Sequence, residues 1–159
     1  MEFNKDNAVL GDSVANLPKD ERNIPLYLNI LATTDNAIIR GEMAYLLSQM
    51  CPENKEFKSV LVSLIKSHKT ENAKGCLLYP LSFLDYSDEE CIDMLCEQLY
   101  RGNFECMSKA YDMLNKLITQ DLITEKEKLR DTLEMMGENT DLRLDMIQEV
   151  YDKLLKLDN

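Results

Sequence analysis

The histidine and the acidic residues are the side chains of this sequence that could act in acid–base catalysis or bind a metal. His68 is the single histidine, and it falls at the end of a predicted apolar helix stripe. A helix C-terminus favours a positively charged imidazole, so we interpret His68 as a structural residue. The abundant carboxylates show no pair that stands out as an acid and a base. Nucleophile-elbow, phosphate-loop, dinucleotide and zinc-protease motifs are also missing from the sequence. We therefore predict no enzymatic activity, no cofactor and no metal site.

The cysteines are the second group of reactive side chains. There are five, an odd number without the CxxC spacing of a zinc site or redox motif. All lie in or beside apolar helical segments, which favours small core residues in a reducing compartment. They are Cys51, Cys76, Cys91, Cys96 and Cys106.

Four tyrosines recur near the centre of apolar segments. Tyr45, Tyr79, Tyr111 and Tyr151 are separated by 34, 32 and 40 residues. Repeats of paired helices have periods of about 33 to 47 residues. A stripe of tyrosines could contact a partner, but their apolar flanks favour positions in the core.

The elements that carry these residues are predicted to be helices. Hydrophobic residues make up 45% of the chain, while 5 Gly and 4 Pro leave little material for β-turns. Apolar residues recur at helical spacing, with breaks at Pro52 and at Arg101-Gly102-Asn103. We also predict an interruption at Gly11, a kink at Pro80 and a helix C-cap at Gly137. Capping boxes are predicted at Ser87-Asp88-Glu89-Glu90 and Thr124-Glu125-Lys126-Glu127.

About eight or nine helices joined by short turns follow from these patterns. Short turns make neighbouring helices antiparallel, which a stack of hairpins and a compact bundle both satisfy. The tyrosine repeat favours the stack. We expect an all-α protein with a single helical-repeat domain over residues 1–159, in which residues 1–23 form an N-terminal capping segment.

Charge excludes several classes of partner. The formal net charge is −11, which disfavours nucleic acid and anionic membrane surfaces. No apolar stretch resembles a signal peptide or reaches the ~18 residues of a membrane span. We therefore expect a cytoplasmic protein that binds neither nucleic acid nor membrane.

One segment has residues in common with a known repeat. Asp35, Ile39, Arg40, Ala44 and Leu47 match positions of the second helix of a HEAT repeat, and the segment from Asp35 to Leu47 resembles that helix. The resemblance implies a short HEAT-like solenoid of antiparallel hairpins, in which the second helices line the concave side.

Acidic residues on two predicted second helices form our candidate binding surface. They share the polar faces opposite the apolar stripes, although a merely solvated face would show the same pattern. The candidate partner-binding residues are Glu105, Asp112, Asp141, Asp145, Glu149 and Asp152.

The combination of small size, acidity and helical hairpins is similar to some bacterial immunity proteins of polymorphic toxin systems, including those of contact-dependent inhibition. This resemblance implies one protein partner, a basic nuclease-type toxin domain that the chain binds and neutralises. The alternative is a general HEAT-like adaptor or scaffold in a cytoplasmic complex. An enzyme with a polar pocket is the third and least favoured hypothesis.

Overall fold

The computed structural model describes residues 5–71, 73–138 and 143–157 of the chain. Over these residues it contains nine α-helices, two short 3-10 turns at Glu21–Asn23 and His68–Thr70, and no strand. The prediction of an all-α protein with eight or nine helices is confirmed. The helices are α1 (Lys5–Ala15), α2 (Ile24–Thr33), α3 (Ala37–Met50), α4 (Lys55–Lys66), α5 (Gly75–Leu81), α6 (Glu89–Arg101), α7 (Phe104–Thr119), α8 (Lys126–Glu138) and α9 (Leu144–Lys156).

Side-chain caps set where several helices begin. The Asn36 side chain accepts hydrogen bonds from the amides of Ile38 and Ile39, at 2.9 and 3.1 Å, and so starts α3. Asn54, Asp88 and Asn103 cap α4, α6 and α7 in the same way. The predicted serine cap at Ser87 is wrong by one residue, because the Asp88 carboxylate accepts from the Cys91 amide at 3.1 Å. At the second predicted box, α8 begins at Lys126, two residues after Thr124.

Two predictions about glycine are also wrong. α1 runs through Gly11 without interruption, and Gly137 lies inside α8 rather than capping it. Packing overrides the intrinsic helix penalty of glycine, which is only about 1 kcal/mol. Pro80 lies inside α5, which ends one residue later at Leu81, and the kink at this proline stays a prediction.

The helices cluster into two compact units, unit 1 (Met1–Asp85) and unit 2 (Tyr86–Asn159). In unit 1, α2 pairs with α3 and α4 pairs with α5, while α2 packs on α4 and α3 on α5. Unit 2 repeats this scheme: α6 pairs with α7, α8 with α9, α6 packs on α8 and α7 on α9. Each unit is therefore two stacked hairpins, in which the first helices pack on each other and the second helices pack on each other. A single domain over residues 1–159 stays a prediction.

The predicted capping segment, residues 1–23, contains α1 and the first 3-10 turn. α1 packs on α3, the second helix of the first hairpin. The Tyr27 hydroxyl of α2 donates a hydrogen bond to the Pro18 carbonyl at 2.8 Å, which ties the chain before α2 to that helix.

Arginines secure the connections between helices. Arg40, the residue that matches the HEAT pattern, is only 6% exposed, and its Nη2 donates to the Thr34 carbonyl at 2.9 Å. Arg143, just before α9, donates to the carbonyls of Leu99 (3.1 Å) and Gly102 at the end of α6. Cations are favoured there because the last carbonyls of a helix carry partial negative charge. This contact links the two hairpins of unit 2.

Candidate functional site

The predicted acidic surface lies on two second helices that pack together, α7 and α9. Glu105 and Asp112 are exposed on α7, and Asp145, Glu149 and Asp152 are exposed on α9. Asp141, the sixth predicted residue, lies outside the described residues. The assignment of both segments to second helices is therefore confirmed, while partner binding by these residues stays a prediction.

Neighbouring side chains neutralise part of this surface. Lys153 Nζ lies 2.8 Å from a Glu149 carboxylate oxygen, 3.4 Å from the Tyr111 hydroxyl and 5.3 Å from the Tyr111 ring centroid. The hydrogen bond from Lys153, and then that from Tyr111, holds the pKa of Glu149 below its usual value. The Glu149 carboxylate raises the pKa of Lys153 in turn. Asp152 accepts a hydrogen bond from the Gln148 amide at 2.8 Å.

A more strongly acidic surface runs along α8, which is the first helix of its hairpin. Glu127, Asp131, Glu134 and Glu138 are all exposed and are spaced i, i+4, i+7 and i+11, which places them on one side of the helix. We call these four residues the α8 acidic stripe. Within the described part of the chain, no hydrogen bond or ion pair joins them to another side chain. Like charges at this spacing destabilise a helix slightly, and only Glu127, in the first turn of α8, is favoured by the helix dipole.

The α8 acidic stripe was not predicted, although its spacing is readable from the sequence. The solenoid resemblance places second helices on a concave side, so only acids on second helices were predicted to bind. The α6 acids behave differently, because Lys128 of α8 pairs with Glu89 and lies 3.4 Å from Asp93. Tertiary contacts thus leave the α8 stripe more available for a partner than the helix start of α6.

A cleft of about 260 Å³ opens between α8 and α9. Glu134 and Glu138 of the acidic stripe line it from α8, while Gln148 and Tyr151 line it from α9. Its apolar lining comes from Leu133, Leu144 and Ile147, and Gly137 leaves room between the two helices. The cleft therefore combines an apolar wall with two carboxylates one helical turn apart.

Unit 1 exposes a cluster of three aromatic rings, which we call the aromatic trio. Tyr45, Tyr79 and Phe83 are 40%, 48% and 46% exposed. The Tyr45 and Tyr79 rings stack at 5.9 Å between centroids, and Phe83 meets them edge-on at 6.2 and 5.1 Å. The prediction that the repeated tyrosines are core residues is wrong for Tyr45 and Tyr79. Tyr111 and Tyr151 are half-buried.

The four regularly spaced tyrosines nevertheless share one position in the fold. Each of the four tyrosines lies on the second helix of its hairpin, α3, α5, α7 or α9. Phe83 was missed, although it follows Tyr79 by four residues and so falls on the same side of the chain. Aromatic side chains that share an exposed surface are typical of protein-binding sites, where Tyr and Phe are enriched.

The cysteines and His68 lie at positions that only partly match the predictions. Cys91, Cys96 and Cys106 are buried as predicted, and burial, with a contribution from Asp93, raises the pKa of Cys96 to about 12. Cys76 is exposed, so its assignment to the core is wrong. His68 is exposed on a 3-10 turn, 4.0 Å from Glu71, rather than on the apolar stripe of α4. No three metal-ligating side chains cluster anywhere in the described ranges.

No protein-family model, no curated protein and no solved structure matches this chain. None of the described helices is long and apolar enough to cross a membrane. Two surfaces, the aromatic trio and the α8 acidic stripe with its cleft, therefore support the functional proposal.

Proposed function

We propose that the chain is a non-catalytic protein-binding module, and that it is an immunity protein that binds and neutralises a basic, nuclease-type toxin domain. The aromatic trio is the observation that carries this proposal. Tyr45 on α3, Tyr79 on α5 and Phe83 in the turn after α5 remain exposed, although the two helices bury Leu47, Leu77 and Leu78 completely. Contiguous exposed apolar surface of this kind marks interaction sites on soluble proteins.

The geometry of the trio suits a binding hot spot. The rings restrain one another through stacked and edge-on contacts, so little side-chain freedom remains to be lost on binding. Hot spots are enriched in tyrosine and depend on a partner that excludes water from the rings. A protein surface that covers all three rings would provide this exclusion.

Charge supports the basic character of the partner. Unit 2 contains 18 Asp and Glu residues against 9 Lys and Arg, a net charge of −9, out of −11 for the whole chain. Such a field attracts a basic domain and accelerates association. Nuclease domains are often basic because their substrates are anionic, so an acidic inhibitor would be complementary to one.

The alternative is an adaptor that binds more than one partner. The presence of two surfaces of different chemistry favours it: the aromatic trio in unit 1, and the α8 stripe with its cleft in unit 2. An immunity protein should form a saturable complex with one toxin domain. An adaptor should retain one partner after the other surface is removed.

The test first asks whether a gene adjacent to this chain's gene encodes a toxin-like domain, since the proposal expects one, and that domain is then purified and titrated against the full chain. Tyr45→Ala with Tyr79→Ala should weaken binding by about 2 kcal/mol or more, the cost of removing a hot spot. Phe104→Ala is the matched control, because Phe104 is 79% exposed and belongs to unit 2. Co-expression with the toxin domain should preserve growth for the wild type and the control. Absence of any complex would reject the immunity function, and equal binding by all three proteins would reject the aromatic trio as its binding site.

A further inference from the structure

The cleft between α8 and α9 differs from the rest of the acidic surface in having apolar walls. Leu133 and Ile147 are buried at its base, and Leu144 is exposed at its edge. The cleft volume of about 260 Å³ is many times what a single water molecule needs, which leaves room for one long side chain.

Polar groups are found on both sides of this space. Glu134 and Glu138 lie one helical turn apart on α8, and Tyr151 and Gln148 face them from α9. Neither glutamate carboxylate makes a hydrogen bond or ion pair with another side chain in the described part of the protein. Lys128 of α8 faces α6 and Lys153 of α9 faces α7, so neither lysine is directed at these carboxylates.

We propose that this cleft receives one arginine side chain from the partner. The aliphatic stem would lie mainly against Leu144, the exposed apolar side chain at the edge of the cleft, while the guanidinium would pair with Glu134 and Glu138. Arginine suits the site better than lysine because its planar head donates to two carboxylates at once and stacks on an aromatic ring such as Tyr151. This inference rests on the proposed function only in taking the partner to be basic, and it adds the position and the chemical class of the contact.

The test needs no partner protein. N-acetyl-argininamide is titrated into the isotope-labelled full chain, and amide chemical shifts are followed by NMR. We expect saturable binding with a Kd on the order of millimolar, with the largest shifts at Gly137, Leu144 and Gln148. The neutral isostere N-acetyl-citrullinamide should bind about tenfold more weakly, because it cannot form charge-assisted hydrogen bonds.

Two double variants test whether argininamide binding depends on the cleft or only on the negative charge of the α8 acidic stripe. Glu134→Gln with Glu138→Gln should weaken argininamide binding about tenfold. Glu127→Gln with Asp131→Asn removes the same charge from the same stripe outside the cleft and should leave binding within about twofold. Equal weakening by both variants, shifts spread evenly over α6 and α8, or no saturable shift would overturn the inference.

The same variants keep this inference distinct from the proposed function. If the toxin domain binds the wild type and the Glu134/Glu138 variant equally, the cleft inference fails and the immunity function stands. If the toxin domain binds neither protein while argininamide still occupies the cleft, the immunity function fails and the arginine site stands.

Discussion

The rings of Tyr45 and Tyr79 stack with their centroids 5.9 Å apart and their planes 15° from parallel. Tyr45 belongs to α3 and Tyr79 to α5, so the stack joins the second helices of the two hairpins in unit 1. Gly41 precedes Tyr45 by one turn, and a Cβ atom there would lie 3.3 Å from both Cβ and Sγ of Cys76. The absence of a side chain at Gly41 thus permits the close approach that brings the two rings together.

The contact between the stacked Tyr45 and Tyr79 rings should stabilise the fold. In a double-mutant cycle of Tyr45→Ala and Tyr79→Ala, we expect a coupling free energy of about 0.5 kcal/mol, at the low end for aromatic pairs because both rings are partly solvated. Urea unfolding of the four proteins measures it. Additive effects of the two substitutions would show that the rings lie near each other without stabilising the fold.

Two glycines should respond oppositely to alanine. At Gly102 an added Cβ would lie 2.5 Å from the Gln98 carbonyl oxygen and 2.8 Å from Cys106 Cβ, so Gly102→Ala should destabilise by about 1–3 kcal/mol. At Gly137 the nearest atom is Leu144 Cδ1 at 3.6 Å, and the residue lies inside α8. Gly137→Ala should therefore stabilise by about 0.5–1 kcal/mol, because glycine is a poor helix former. Chemical denaturation of both variants gives the comparison, and a shift of the same sign in both would contradict it.

The Glu149 carboxylate should titrate below the usual range. Its folded-state pKa lies below the unfolded value, so its contribution to stability is present above the unfolded pKa and is lost as the pH falls through the folded pKa. Lys153→Met should raise this pKa most, because the Lys153 hydrogen bond is its main cause, and Tyr111→Phe should raise it less. Carboxyl ¹³C NMR titration measures the three values. An unchanged pKa in Lys153→Met would exclude the ion pair in solution.

Charge reversal should distinguish the two acidic surfaces. One variant changes Glu127, Asp131, Glu134 and Glu138 to lysine, and the other changes Asp112, Asp145, Glu149 and Asp152. Each reversal adds two charge units, so both variants move from −11 to −3. We expect slower association with the toxin domain for both, and a larger effect for the α8 variant, because Glu149 and Asp152 already have partners in the protein.

The control for this comparison is ionic strength. Association of the wild type should slow as salt rises, since the field reaches only about 8 Å at physiological ionic strength. Circular dichroism should show that both variants fold, because exposed substitutions rarely change stability by more than about 0.5 kcal/mol each. Unchanged kinetics in both variants would place the contact elsewhere, such as the lysine-bearing segment from Lys55 to Lys74.

The helices and their pairing could be predicted from the sequence because both depend on local patterns. Apolar residues at helical spacing identified the buried side of most helices, and Pro52 indicated where α3 stops. Short connections such as Gly102-Asn103 allow only antiparallel neighbours. The regular tyrosine spacing indicated a repeat of helical hairpins for the same reason, because it reflects the length of one hairpin.

The positions of individual side chains relative to other helices required the tertiary structure. Tyr45 lies between the buried residues Ala44 and Leu46, and only the placement of α5 decides that its ring is exposed against Tyr79. Lys128 pairs with Glu89 across 39 residues, and Lys153 reaches Tyr111 across 42. A carboxylate attracts a partner only to the extent that no nearby cation already satisfies it. That proximity is set by helix packing and not by sequence spacing, so the sequence predicted an acidic protein while the fold decided which of its acids remain available.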